Sequence, residues 1–210
     1  MNADKKISRT AKKSQTAILL AGEKLVLSGN INLITAENLS KHSGYSVGNI
    51  YHHFKNLDQV FINIFLKKRL EIFLELADEI NKFPKNKSCE DLCEILVNKN
   101  FEGVNKLKIK MLQYLFKIVL TKSEEPEKIN LIIDVLIDPL IECRKRNKTN
   151  SFRKIEEDEM RLLLRSFQAF VRSPFLENQS IAGTLAHRKL TLDLCQKLFC
   201  TTYPSKLTEQ

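Results

Sequence analysis

Three of the four histidines, His42, His52 and His53, fall in one stretch, TAENLSKHSGYSVGNIYHHFK, running from Thr35 to Lys55. Within it Ser46, Val47, Gly48, Asn49, His52 and His53 form a small, mostly polar set, suited to base edges and phosphates in a DNA major groove. Catalytic chemistry has no comparable footing. No HExxH, GxGxxG, P-loop or GxSxG pattern occurs in the chain, so neither catalytic residues nor an enzyme activity is expected. Cys89 and Cys93 are four apart and would share a helix face, which permits metal or oxidant sensing. With no histidine nearby and no further cysteine spacing they are read as buried packing, and no metal or cofactor is expected.

The polar set needs two short helices to present it. Thr35 is a good N-cap for a helix over Ala36 to His42, Gly44 suits the left-handed residue after it, and Ser46 can cap a second helix. Leu39, Ile50, Tyr51 and Phe54 supply apolar contacts to fix the angle between the two. Three or four residues of turn make this helix-turn-helix spacing, although helix pairs with a glycine turn also occur in proteins that never touch DNA.

From Ile18 to Val60 the chain resembles the TetR family of bacterial transcriptional regulators, through Ile18, Ala21, Leu25, Gly29, Thr35, Leu39, Gly44, Ser46, Tyr51, Phe54 and Lys55. The resemblance implies that Thr35 and Ser46 cap, that Val47, Gly48 and Asn49 face bases, and that Tyr51, His52 and Lys55 touch phosphate or base. His53 completes the expected DNA-binding set. Leu57, Ser43 and Val26 depart from the family pattern, and Leu57 removes one phosphate contact. Beyond about residue 80 the resemblance is one of length and helical character only.

Charge agrees with a polyanionic partner. Residues 1 to 70 hold eleven Lys and Arg against four Asp and Glu, so most of the net +9 lies there, and this excess coincides with the helix pair. Lys5, Lys6 and Arg9 read as a mobile basic arm that either lies along phosphates, reaches a minor groove, or is an unused terminus. The N-terminus has no apolar signal-peptide core, and the apolar stretch from Asn130 to Cys143 is too short and too interrupted to span a bilayer. A cytoplasmic protein with no membrane partner is expected. Five cysteines, an odd number without a CxxC pair, fit reduced thiols.

Helical periodicity continues to the end, without strand alternation. A first helix spans Lys13 to Ser28 and a long one Leu57 to Ile80, on which Lys67, Lys68 and Arg69 make a solvated basic run. A further helix starts after Ser88, with Gly103 interrupting the pattern. An apolar segment from Leu107 to Leu120 should be central to a second core. Ser123 to Pro126 should start a helix that Pro139 kinks near Val135. The last two helices run from Ile155 to Arg172, stopped by Ser173 and Pro174, and from Ser180 to Phe199.

The expected fold is all-α, with about nine helices: a helix-turn-helix DNA-binding domain over 1–56 and a helical effector-binding and dimerisation domain over 57–210. The expected function is a transcriptional repressor, a homodimer on a palindromic double-stranded operator, paired through the last two helices. The resemblance adds release by a small lipophilic effector, with the long helix as lever, and Phe101, Met111, Tyr114, Phe116, Phe167 and Phe170 as candidate lining. Those aromatics serve equally as plain core. The alternative is a DNA-binding protein of the same fold without a small-molecule ligand, controlled by a protein partner or organising the chromosome.

Overall fold

The helical period of the sequence is realised from end to end of the computed structural model, which describes residues 2–201, with side chains described at 11–102 and 107–201. Its helices are α1 (Asn2–Leu27), α2 (Ala36–Ser43), α3 (Val47–His53), α4 (Leu57–Lys82), α5 (Cys89–Lys106), α6 (Ile109–Lys122), α7 (Lys128–Leu131), α8 (Ile137–Arg146), α9 (Glu157–Leu176) and α10 (Leu185–Phe199). Short 3-10 turns occupy Ile31–Leu33 and Ile132–Leu136. Among the described residues the only β pairing is an isolated antiparallel bridge between Phe152 and Cys200. None of the described helices is long and apolar enough to cross a membrane. The basic arm is helical in backbone, since α1 begins at Asn2, while the side chains of Lys5, Lys6 and Arg9 lie outside those described.

Two compact units divide the chain at other places than residue 56. The first runs to Lys68 and includes Lys106–Pro126; the second takes Arg69–Asn105 and the chain from Glu127 onward. In the first unit α1 buries Ile18, Ala21 and Leu25, α2 buries Leu39, α3 Ile50, and α4 Val60, Phe61, Ile64 and Phe65. Gly22 lets them close up. A Cβ there would stand 2.5 Å from Ile64 Cδ1 and 3.6 Å from both Leu39 Cδ1 and Phe61 Cε1. The segment expected at the centre of a second core, now α6, belongs here instead. Its buried Met111, Leu115, Phe116 and Val119 face this core, Phe116 meets Phe65 edge to face at 5.2 Å, and Tyr114 Oη donates to Asp58 Oδ1 at 3.0 Å. Apolarity marks α6 as buried without saying against what.

In the second unit one core joins Phe73, Leu76 and Ile80 of α4 to Leu92 and Leu96 of α5, Leu140 of α8, Leu164, Phe167 and Val171 of α9 and Phe199 of α10. The Arg146 guanidinium donates to the carbonyls of Ile80, at 2.5 Å, Asn81 and Phe83, covering the open carbonyl end of α4. Arg69, expected in solvent, is turned inward: it lies 4.5 Å over the Phe73 ring and donates to Gln168 Oε1 at 2.5 Å. Gln168 passes the chain to Asn100 Oδ1 at 2.8 Å, and Asn100 to the Leu96 carbonyl at 2.8 Å.

Several helix ends differ from expectation, each for a local reason. The helix foreseen from Ser123 breaks into α7, a 3-10 turn and α8. Pro139 thereby falls in the first turn of α8, where its missing N–H has no intrahelical partner to lose. Gly103 does not stop α5, because a glycine costs a helix interior only about 1 kcal/mol. Ser173 and Pro174 do not stop α9, which continues to Leu176 with Pro174 and Phe175 buried. One carbonyl, that of Phe170, loses its helical donor there. The final helix begins at Leu185 rather than Ser180, since Asn178 and Gly183 take positive φ of 53° and 75° and Thr184 Oγ1 caps by accepting from His187 N–H at 3.3 Å.

His187, 1 % exposed, sits among Phe101, Phe170 and Phe175, with ring centroids at 5.0, 6.4 and 5.7 Å. Its Nδ1 accepts from Gly183 N–H at 3.2 Å, so the ring proton is on Nε2, which makes no hydrogen bond of ordinary length and angle but interacts with the Phe170 carbonyl that Pro174 leaves without a helical donor. Burial pushes the imidazole below its ordinary value, with the Phe170 carbonyl acting in the opposite direction. The unfolded chain takes up a proton near the usual value of about 6.5 while the folded chain resists it, so the stabilisation present above that pH is lost as pH falls through the lowered folded value. Urea midpoints measured at pH 7 and pH 5 should therefore differ more for the wild type than for His187→Gln. Equal differences would show that this ring does not contribute.

Candidate nucleic-acid interface

The helix pair is built by caps and by two anchors. Thr35 Oγ1 accepts from Asn38 N–H at 3.2 Å, and Gly44, at φ 75°, closes α2 through its N–H to the Ser40 carbonyl at 3.0 Å. Ser46 Oγ then accepts from Asn49 N–H at 3.2 Å and starts α3. Ile50 is fully buried and Phe54 nearly so. With these two directed inward, helical geometry turns the opposite side out: Ser46, Gly48 and His52 are exposed, Val47 and Asn49 half-exposed. Tyr51 is 47 % exposed, so it faces out instead of holding the pair together. The side-chain oxygen Oδ1 of Asn49 is itself buried and has no hydrogen-bond partner.

Two members of the set are engaged. His53 is half-buried, its Nε2 2.6 Å from Ser14 Oγ on α1, and the Ser14 hydroxyl donates to the Ala11 carbonyl at 2.9 Å. With that hydroxyl proton committed, His53 Nε2 donates, and the imidazole braces α3 against α1. Lys55 Nζ lies 2.5 Å from Glu124 Oε1, both side chains being largely exposed. The pair raises the Lys55 pKa and lowers that of Glu124, in each case through their hydrogen bond and then their charges. Ser14 and Glu124 were not visible from the sequence, since each lies far along the chain from its partner and neither belongs to a motif.

No family model matches the sequence, and no curated protein matches it. Solved structures do. A protein from Mesorhizobium loti assigned to the TetR family of transcriptional regulators aligns over 92 % of this chain and 98 % of its own, with TM-score 0.55 and 12 % identity. The transcriptional regulator FadR from Bacillus subtilis, in complex with stearoyl-CoA, aligns over 86 % of this chain and 96 % of its own, with TM-score 0.55 and 15 % identity.

The fold is that of the TetR family. Within this TetR-type fold the six residues expected to line an effector site are divided between the two units. Met111, Tyr114 and Phe116 belong to the first, and Phe101, Phe167 and Phe170 to the second. Burial, and then its bond to Asp58, push the Tyr114 hydroxyl to a higher pKa. Phe101 and Phe167 both belong to the core, and Phe101 and Phe170 converge on His187. The cysteine reading also changes, since Cys89 and Cys93 are buried as expected but are joined by Cys200.

The bond from α3 to α1 is testable without DNA. A double-mutant cycle on Ser14→Ala and His53→Phe, read by urea denaturation, should give a coupling of about 1 kcal/mol. Additive effects would mean that His53 is free to act elsewhere.

Proposed function

We propose that this protein is a DNA-binding transcriptional repressor that sits as a homodimer on a palindromic duplex and is released by a small lipophilic effector. The observation that carries the reading is the outward face of α3, where Val47, Gly48, Asn49, Tyr51 and His52 stand clear of the core on a helix fixed from behind by Ile50 and Phe54. The TetR-type fold and the basic N-terminal region support it. Val47 and Asn49 read base edges, the half-exposed Asn49 through its side-chain amide. Thr35 and Ser46 hold the two helices, while Tyr51, His52 and Lys55 position the protein on phosphates. The domains on this reading are a DNA-binding segment over 1–56 and an effector and dimer segment over 57–210.

Dimerisation is supported by what α9 and α10 leave uncovered. Leu163, Leu164, Phe167, Leu192 and Phe199 pack into their own core, but Leu162, Leu185 and Leu190 are 65, 63 and 50 % exposed. Large apolar side chains on adjacent helices suit a second copy. For the effector, Phe101, Phe170 and Phe175 around His187 offer an apolar surround with one polar ring. FadR, of similar fold, is known with a long acyl thioester bound.

Salt titrations on a palindromic duplex selected from random DNA, and on random duplex itself, test the interface. Two protomers should bind per site. Lys55→Ala should weaken binding to all duplexes alike and lower the salt slope by about 0.9 per subunit, because one phosphate contact is lost. Asn49→Ala should instead change the preference among sequences. Glu124→Gln should strengthen binding at low salt, since Lys55 no longer shares its charge with a carboxylate, and the gain should fade at high salt. An unchanged slope in Lys55→Ala removes that residue from the interface.

Effector control is tested by reciprocity. A ligand that weakens DNA binding a hundredfold carries about 2.7 kcal/mol of coupling, and operator DNA must weaken its binding by the same factor. A ligand found by thermal shift that binds equally with and without operator would favour control by a protein partner.

A further inference from the structure

All five cysteines are free and buried, and three of them bring their sulfurs together in the second unit. The Sγ atoms of Cys89, Cys93 and Cys200 lie within 4.8 Å of one another, with Cys93 and Cys200 3.9 Å apart. An ion bonded to sulfur at about 2.3 Å in tetrahedral geometry sets its sulfurs roughly 3.8 Å apart. One contact already has that spacing, and the others need only side-chain adjustment. A void of about 20 Å³ opens beside Cys89 and Cys93, lined also by Phe152, Met160 and Phe199, the residue before Cys200. It has room for a single ion or water.

The main chain holds this arrangement. Cys89 and Cys93 are one turn apart on α5, and Cys200 is carried in from beyond α10 by its bridge to Phe152. Thr201 N–H donates to the Ser151 carbonyl at 2.8 Å and Arg153 N–H to the Phe199 carbonyl at 2.9 Å. Ser151 Oγ in turn accepts from Cys89 N–H at 2.8 Å. One residue thus ties both ends of the cluster. Space filling alone does not call for three sulfurs to converge, because a lone buried thiol packs as a small apolar side chain.

We propose that Cys89, Cys93 and Cys200 form a binding site for a thiophilic d10 cation, Zn2+ or Cu+. Soft thiolates select these ions. On binding, three S–H protons pass to solvent as three sulfur–metal bonds form, and no electron is transferred. The Met160 thioether, on the wall of the void, is a candidate fourth ligand for Cu+; Zn2+ would complete its shell with water. Arg144 and Arg153 line the same void; Arg153 is already paired with Glu159, so Arg144 is the cation that offsets the negative charge left on the cluster. The site is independent of DNA binding and stands whether or not the interface above is correct.

The test uses reduced, metal-free full-length protein. Co2+, as a spectroscopic stand-in for Zn2+, should give thiolate-to-cobalt charge transfer and the visible bands of a tetrahedral site at one equivalent, and Zn2+ should displace it. In parallel, Cu+ is titrated against a chromophoric chelator. Retention of either ion at one equivalent supports the site and says which ion it prefers. Changes outside the ligands cost up to about a hundredfold in affinity, so losing a ligand in Cys93→Ser or Cys200→Ser should cost at least that much. Cys143→Ser, away from the cluster, should bind as wild type, and circular dichroism checks that each variant folds. Failure of both ions to bind folded wild-type protein with five titratable thiols would overturn the proposal. Equal affinity in folded Cys93→Ser and Cys143→Ser would do the same.

Discussion

The first unit depends on holding a helix too short to hold itself. α3 has seven residues, well below the length at which an isolated helix persists in water. Its position therefore comes from what lies behind it. Full burial of an isoleucine contributes about 2 kcal/mol and each cap about 1, so Ile50 and the two hydroxyl caps are comparable and neither suffices alone. With Phe54 at the far end and His53 bonded to Ser14, the helix is fixed at both ends. The outer side chains are then free of structural duty, as a surface that has to meet a variable partner requires.

The second unit solves a different problem, that of placing polar groups inside an apolar bundle. Arg69 has no carboxylate among its described partners, and burial together with the charge of Arg172 brings its pKa down to about 10, still well above neutral. A charge kept inside is tolerable only where hydrogen bonds and a ring face replace water. The run from Arg69 through Gln168 to Asn100 and the face of Phe73 do so in part, leaving Arg69 Nε buried without a partner. Such an arrangement gives α4, α5 and α9 one admissible register. The loop from Asn147 to Arg153 acts likewise on the residues that follow α10, pairing with Phe199 and Thr201 through main-chain bonds.

Which features were legible follows from the range of the interactions behind them. Thr35, Gly44 and Ser46 act on residues three or four positions away, and the caps and the left-handed glycine fall where the sequence places them. Helical periodicity is equally local, so the all-α class could be read directly. Stop signals were less dependable. Pro174 breaks a helix in isolation, but burial of Pro174 and Phe175 outweighs one lost hydrogen bond.

By itself the sequence determined the helical class and the two-helix motif with its caps, because capping, periodicity and glycine conformation are decided within a turn or two of chain. Only the tertiary structure decided which apolar faces meet. It put α6 with the first unit, turned His53 toward Ser14 and Arg69 toward Gln168, set Lys55 against Glu124, and brought Cys200 to Cys89 and Cys93. An apolar stripe or a buried thiol asks only to leave water, a demand that many partners could meet. The choice among them belongs to the packing of the whole unit.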